Sequence, residues 1–416
     1  MPTAILLSQG DEVVTGQIAD TNAAWLASEL TGLGVQVLRH ISVGDNASDI
    51  QDQVHEASTS ADVIISTGGL GPTEDDLTTA AVAALFQKKL IFDSEAFAHI
   101  EGYYAKAKRI MPEVNRKQAY FPEGATRINN HWGTAPGFAL NANQCLQVYL
   151  PGVPKEMKAI FSHYVASLLE EQFSLVPHRL ITFRTTGVGE STLQERIGSF
   201  SHEKIVLSYR TKSPENHIKL RIAHTVPQDE IDRVCETLSS SIGSPLFTIE
   251  GYGNGPEGSL QAVVGQLLLK NTESVSVAES CTGGRICSMF TELSGCSQWF
   301  TEGAVTYSNE AKTERLGVHP DTLMAHGAVS EATCREMAAG IRDTSGTTYG
   351  LATTGIAGPT GGSSDKPVGT IFIGLHTPTQ FFCRRLQLAG SRARIQSLSA
   401  AACIDMLRRH LQQFDL

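Results

Sequence analysis

ADVIISTGGLGPTEDDLT, residues 61–78, decides the fold of the first part of this 416-residue chain. Ala61–Thr67 is an apolar, β-branched run with the length of a strand buried on both faces. It passes without a spacer into Gly68, Gly69 and Gly71, and a helix-forming stretch, Leu77–Phe86, follows. A strand that ends in glycines and turns into a helix is part of a βαβ unit. In an open α/β sheet that turn lies at the carboxyl edge, where ligands bind. The flanks repeat the pattern. Ala4–Ser8 reads as strand, Asp20–Gly34 as a helix with Leu26, Leu30 and Leu33 on one face, Val35–Val43 as strand, and Ser48–Ala57 as a helix carrying Ile50, Val54 and Ala57. After a basic helical stretch, Glu95–Arg109, CLQVYLPGVP (145–154) is a strand closed by a Pro/Gly turn, and Pro154–Glu171 reads as helix. This order predicts a mostly parallel sheet covered on both faces.

The glycine turn also carries chemistry. Glycines let the backbone approach an anion, and the next helix offers free N–H groups. Glu74, Asp75 and Asp76 sit in the same turn and would repel a bare phosphate, unless a divalent cation lies between them. The alternative is a tight turn whose acidic residues suit a helix N-terminus.

Residues 175–250 change character. ITFR (181–184), KIVLSYR (204–210) and HIKLRIAH (217–224) read as strands, the last alternating Ile218, Leu220 and Ile222 with Lys219 and Arg221. Helices are expected over Glu190–Phe200, started by GVGES (187–191), and around Ile231, Val234, Leu238 and Ile242. EGYGNGPEGS (250–259) is the linker candidate.

Beyond it a second α/β domain is expected. A helix over Leu260–Lys270 precedes VSVAESCTGGR (275–285), an apolar strand that stops at Glu279 and Ser280. A hydroxyl at such a strand-to-helix turn suits a nucleophile with backbone N–H groups beside it, although the spacing is not G-x-S-x-G; a helix-capping serine is the alternative. FTEGAVTYS (300–308) reads as strand and NEAKTERL (309–316) as helix, which puts Tyr307 at a strand end and Lys312 in the first helical turn. The helix dipole disfavours a cation there and would lower its pKa, so a neutral Lys312 can act as base for a serine. The alternative is an exposed lysine offset by Glu310 or Glu314. Ser330 caps a further helix, and Tyr349–Thr354 is a strand. TTGIAGPTGGSSDKPVGT (353–370) offers backbone donors for a phosphate or oxyanion, or is simply a mobile hairpin loop. VGTIFIGLH (368–376) and FFCRRLQL (381–388) form a hairpin, and a helix from about Arg392 closes the domain.

Composition narrows the partners. The chain is 41% hydrophobic, 18% charged and has a net charge of −10, with no long Lys/Arg run to bind nucleic acid. No apolar run approaches the roughly 20 residues of a membrane span, and the start lacks a secretion signal. Eight cysteines without a C-x-x-C pair suggest reduced thiols in a cytoplasmic protein.

Several motifs resemble one family in order. GDEVVTGQIADTNAAWLASEL (10–30), GGLGPTEDDLT (68–78), NRKQA (115–119), GTAPGFAL (133–140) and PGVPKEM (151–157) resemble the amino-terminal domain of the CinA, or competence/damage-inducible, family. AESCTGG (278–284), VTYSNEAK (305–312), HGAVSE (326–331) and GIAGPTGG with KPVGT (355–370) resemble its carboxy-terminal domain, which also occurs alone as nicotinamide mononucleotide (NMN) deamidase. The resemblance implies three parts: a three-layer molybdopterin-binding-like α/β domain over 1–172, a small α+β connector over 173–252, and an NMN-deamidase-like α/β domain over 253–416. It implies two hydrolytic activities in pyridine-nucleotide salvage, a cytoplasmic location and a homodimer. The first activity is metal-dependent cleavage of ADP-ribose to AMP and ribose 5-phosphate, with Mg, Mn or Co. Asp75, Asp76 and Glu156 are then the metal ligands, Gly68, Gly69, Gly71, Pro72 and Thr73 cradle the pyrophosphate, and Asn22, Asn115, Lys117 and Gln118 are ligand contacts. The second is hydrolysis of NMN to nicotinic acid mononucleotide and ammonia. Ser280 is its nucleophile, Lys312 its base, Tyr307 an orienting or relay group, and Arg392 a further catalytic residue. Thr282, Gly283 and Gly284 are candidate oxyanion donors, and Gly355, Ala357, Gly358 and Gly361 the substrate loop.

One segment departs from the pattern. In AGSRARIQSLS (389–399), Ser391 replaces an acid, Arg392 matches, and Gln396 stands where a second arginine is expected. Arg394 is the candidate to reach in instead. Two rival readings follow: a pterin-binding protein of the molybdenum-cofactor type, and a nucleotide-binding regulator with a degenerate deamidase site.

Overall fold

The structure, a computed structural model, describes residues 1–253, 255–256 and 258–415. It divides into two compact units, Met1–Arg179 and Leu180–Leu416.

The first unit is built on strands β1 (Thr3–Gln9), β2 (Gln36–Val43), β3 (Val63–Thr67), β4 (Leu90–Phe92), β5 (Tyr120–Pro122), β6 (Thr126–Ile128), β7 (Gly137–Ala142) and β8 (Cys145–Leu150). Six of them form one sheet in the order β2-β1-β3-β8-β7-β6, while β4 and β5 make a separate ribbon. Side-chain alternation sends Leu6 to one face and Leu7 to the other. Leu6 packs with Leu26 and Leu30 of helix Thr21–Gly32 and with Met157 and Ile160 of helix Pro154–Ile160. Leu7 packs with Ile50 and Val54 of helix Ala47–Ser60 and Val82 of helix Thr78–Leu85. The result is the three-layer α/β arrangement expected. Asp20 caps its helix by accepting the Ala23 amide at 2.9 Å.

Two details differ from the sequence reading. β2, β1, β3 and β8 run parallel, but β7 pairs antiparallel with β8, and β6 antiparallel with β7. The β7–β8 hairpin turns on Asn143 and Gln144, at φ 55° and 62°. Two consecutive positive φ values match a tight two-residue turn, but Asn-Gln lacks the glycine that usually signals one. The helix beginning at Pro154 is interrupted by a π-turn, Phe161–Val165, before Ala166–Gln172.

The second unit holds two sheets. The first comprises β9 (Arg179–Thr186), which starts at the unit boundary, β10 (Ile205–Lys212), β11 (Glu215–Ile222) and β12 (Leu246–Glu250), in the order β10-β11-β9-β12. Its own core joins Ile181, Phe183, Ile218 and Leu220 to Ile231 and Leu238 of helix Gln228–Ile242. The linker stretch 250–259 follows β12; within it Asn254 and Glu257 lie outside the described residues, as does Leu416 at the chain end.

The second sheet comprises β13 (Val275–Glu279), β14 (Phe300–Val305), β15 (Tyr349–Gly355), β16 (Thr370–His376) and β17 (Phe381–Gln387), in the order β14-β13-β15-β16-β17. The first three are parallel, and β16 and β17 form the expected antiparallel hairpin. Helices Leu260–Asn271 and Arg392–Leu411 cover one face through Val263, Leu268, Ile404 and Leu407. Helix Glu331–Ser345 covers the other through Met337 and Ile341. Arg408, fully buried, donates to Asp405 at 2.7 Å and to the Ser244 carbonyl at 2.7 Å, which pins the loop before β12 to the last helix. No helix among the described residues is long and apolar enough to cross a membrane.

Candidate active site

β13 and β15 run parallel and in register, with Ala278 opposite Ala352 and Glu279 opposite Thr353, so their carboxyl ends meet at one edge. There the Ser280 amide donates to the Thr353 carbonyl at 3.0 Å. Glu279 is fully buried, and its carboxylate accepts the Gly284 amide at 3.0 Å and the Cys287 amide at 2.8 Å. It thus closes the turn and satisfies N–H groups at the start of helix Arg285–Thr291. The Thr282 and Thr353 hydroxyls share a 2.6 Å hydrogen bond.

The turn places the Ser280 hydroxyl 3.2 Å from the Lys312 amine. Lys312 is 1% exposed. It lies in helix Asn309–Leu316, whose capping Ser308 accepts the Ala311 amide at 3.1 Å. Its Nζ also donates to the carbonyls of Thr306 at 2.9 Å and Tyr307 at 3.1 Å. Burial holds the amine's pKa below the ordinary lysine value, while Cys281 and Glu310 pull it partly back. The exposed-lysine alternative is therefore excluded. Cys281, next to Ser280, is not a rival nucleophile: burial pushes its thiol up to about 12, leaving it protonated.

Tyr307 is 61% exposed, and its hydroxyl accepts from Arg392 at 2.9 Å. Arg392 also donates to the Gly358 carbonyl at 2.7 Å, so one guanidinium ties the glycine loop to the tyrosine. Ser280, Tyr307, Lys312 and Arg392 line one cavity of about 310 Å³ with Gly355, Ala357, Gly358 and Gly361. Close backbone packing requires glycine at two of these. A Cβ at Gly355 would lie 2.5 Å from Ile371 Cδ1, and one at Gly358, where φ is +75°, 2.5 Å from Val368 Cγ1.

Two expectations need correction. Gly283 and Gly284 are not oxyanion donors as placed: the Gly283 amide donates to the Ser280 carbonyl at 3.2 Å and the Gly284 amide to Glu279. With Thr282 they line a neighbouring cavity of about 520 Å³ that also contains Gln396. Arg394 does not reach in; it is exposed and folds back over Gly390, where an added Cβ would sit 2.7 Å from its Cδ. Gln396 occupies the place nearer the nucleophile, donating to the Cys281 carbonyl at 2.9 Å. Sequence reading assigned no role to Glu279. The available signal was an acid at the end of an apolar strand, just ahead of a helix start.

The first unit has a cavity of about 370 Å³ at the carboxyl edge of β1, β3 and β8. Gly68, Gly69, Gly71, Pro72, Asp75, Asp76, Gln118 and Glu156 line it, together with Gln9, Glu12 and Asp45. Gly68, at φ 102°, faces Gly152 of the PGVP turn, where an added Cβ would come 3.4 Å from the Gly68 Cα. Asp76 accepts the amides of Gly71 and Thr73, both at 2.8 Å, and the Thr73 hydroxyl. Both its oxygens therefore brace the loop. Lys117 donates to the Thr73 carbonyl. Gln118 donates to the Leu70 carbonyl at 3.3 Å and accepts from Asn115 at 2.9 Å. Glu156 accepts from Asn130 at 2.6 Å, and Asn22 donates to the Gly152 carbonyl at 2.8 Å. Asn22, Asn115, Lys117 and Thr73 are thus loop supports rather than members of the cavity wall.

The carboxylates facing this cavity have the hard-oxygen chemistry of a divalent-cation site. They are not gathered into one: no three His, Cys, Asp or Glu side chains among the described residues form a group able to hold a metal ion. Asp75, Asp76 and Glu156 all line this cavity, and both oxygens of Asp76 are also engaged by the loop. A larger hollow of about 920 Å³ runs along β10 and helix Glu190–Ile197, lined by Ser191, Gln194, His202 and Tyr209; it contains no counterpart of the Ser280–Lys312 pair.

A glycine cradle on one doubly covered sheet and a buried serine–lysine pair on another define a two-site α/β protein. Models of two families match it: the probable molybdopterin binding domain over residues 5–171 and the CinA C-terminal domain over 257–411. A CinA-like protein of Desulfosudis oleivorans is 42% identical, the match covering 98% of this chain and 99% of the relative. A CinA-like protein of Shewanella woodyi is 41% identical over 98% of this chain and 95% of its own. A crystal structure of the protein CinA from Thermoplasma acidophilum, titled as of unknown function, is 33% identical over 41% of this chain and 97% of its own, with a TM-score of 0.38. The chain belongs to the CinA family.

Proposed function

We propose that the carboxy-terminal pocket hydrolyses the carboxamide of NMN to nicotinic acid mononucleotide and ammonia. The observation that carries this reading is the buried Lys312 amine 3.2 Å from the Ser280 hydroxyl. A neutral Lys312 takes the Ser280 proton as the oxygen attacks the carboxamide carbon. The tetrahedral intermediate collapses, and the resulting ammonium form of Lys312 returns the proton to the leaving nitrogen, releasing ammonia. Water then adds to the serine ester with Lys312 again as base, freeing the carboxylate product and Ser280. Tyr307 and Arg392 orient the substrate at the mouth, and the Gly355–Gly361 loop offers backbone groups to its polar parts. The test is ammonia release from NMN by purified protein; no release, with ordered far-UV dichroism, refutes the reading.

For the first unit we propose cleavage of ADP-ribose to AMP and ribose 5-phosphate. The glycine cradle with Gln118 at its wall supports a pyrophosphate ligand, and the family supports a requirement for Mg, Mn or Co. AMP release with each metal and with chelator tests it. The match to a molybdopterin binding domain favours a second reading of this cavity, as a pterin site. Pterin binding that ADP-ribose fails to displace would favour it. A homodimer and the three-part division at about residues 172 and 252 complete the proposal, tested by light scattering and limited proteolysis.

A further inference from the structure

The last helix reaches the nucleophile's surroundings twice. Arg392 and Gln396 are four residues apart in Arg392–Leu411 and so share a face. Arg392 holds Tyr307 and Gly358. Gln396 holds the nucleophile turn itself, its Nε2 donating to the Cys281 carbonyl at 2.9 Å.

The other hydrogen bonds of this turn lie within the turn or run to the neighbouring strand β15. The Ser280 amide uses the Thr353 carbonyl, and the Ser280 carbonyl accepts the Gly283 amide. The Gly284 amide uses Glu279, and the Thr282 hydroxyl uses Thr353. The Cys281 carbonyl is held by a side chain from a distant helix, 115 residues on. Gln396 also lies flush against the turn, since a Cβ at Gly283 would be 3.7 Å from its Nε2. A trans peptide is planar with its C=O and N–H opposed, so fixing the Cys281 oxygen fixes the Thr282 amide direction too. Backbone amides next to a nucleophile help only if they are held in place before charge develops.

We infer that Gln396 is a positioning residue, whose side-chain amide holds the Cys281–Thr282 peptide and thereby the direction of the Thr282 amide beside Ser280. This rests on the deamidase reading above. Its role needs a donor, not an amide as such. Gln396→Met keeps length without a donor, Gln396→Glu keeps shape but cannot donate when ionised, and Gln396→Arg restores N–H groups.

The experiment measures kcat and KM for ammonia release from NMN, with thermal melting of each full-length variant. The Met and Glu variants lose about ten- to a hundredfold in kcat, with KM changed by less than about twofold and melting unchanged. The Arg variant recovers to within about threefold of the parent. A Met variant with parental kcat overturns the inference. So does an Arg variant as slow as Met, which marks simple packing, or one about tenfold faster than the parent, which marks Gln396 as a defect. A parent that releases no ammonia defeats the deamidase reading and this inference with it; an active parent indifferent to Gln396→Met defeats the inference alone.

Discussion

Lys312→Met tests the serine–lysine pair most directly. Methionine matches the length of the lysine stem and removes its amine, which is 1% exposed and bonded to Ser280, Thr306 and Tyr307. The Thr306 and Tyr307 carbonyls lose a donor, at about 1–3 kcal/mol each. Relief from desolvating the buried amine offsets that cost. The variant is therefore expected to fold, its melting temperature within about 5 °C of the parent's. Activity has no such offset. General-base catalysis contributes about 10²–10⁴-fold, equivalent to ~3–5 kcal/mol of barrier, so kcat/KM for ammonia release falls by that factor. The pH profile supplies an independent readout. The base acts when neutral, so parental kcat/KM rises with pH through the Lys312 titration, which burial sets below the ordinary lysine value; the variant lacks that limb. Stability carries the same sign. Between the folded and unfolded lysine pKa values the unfolded chain binds the extra proton, so the parent gains stability relative to the variant as pH rises through that window. A folded Lys312→Met protein within about threefold of parental kcat/KM refutes the reasoning.

Tyr307→Phe removes the hydroxyl that receives Arg392; kcat for ammonia release is expected to fall about three- to thirtyfold without loss of melting temperature, and an unchanged kcat would exclude a role for that contact. Gly358→Ala puts a Cβ 2.5 Å from Val368 at a positive φ, so KM for NMN rises while far-UV dichroism stays parental. Asp76→Ala removes charge-assisted bonds to Gly71 and Thr73, loosening the cradle by about 2–4 kcal/mol; AMP release is abolished, and retained release would show that the loop does not need this brace. Arg408→Ala removes a fully buried guanidinium that donates to Asp405 and to the Ser244 carbonyl, leaving Asp405 with Arg409 as its cationic partner. It should destabilise the protein by about 1–3 kcal/mol in urea unfolding, more than a surface arginine change.

Much of the fold was legible because its signals are local. Val63, Ile64 and Ile65 are consecutive apolar residues since β3 is buried on both faces, and Ile218, Leu220 and Ile222 alternate since β11 is buried on one. β7 was not, because its partner choice depends on a hairpin turn of Asn143 and Gln144 that lacks the usual glycine. The three-residue strands of the β4–β5 ribbon carry too little pattern to read.

The sequence by itself determined the α/β class, the glycine turns, and which residues stand at strand ends, since these follow from periodicity and backbone freedom along a few consecutive positions. The motif order over the whole chain likewise pointed to the family. Only the tertiary structure decided what those residues meet. It buried Lys312 against Ser280, 32 positions away. It turned the Gly283 and Gly284 amides inward, spent Asp76 on its own loop, and brought Gln396 rather than Arg394 to the nucleophile turn. The physical reason is that pKa, donor direction and ligand grouping depend on burial and on groups distant in sequence, which only the packed chain brings within a hydrogen bond's length.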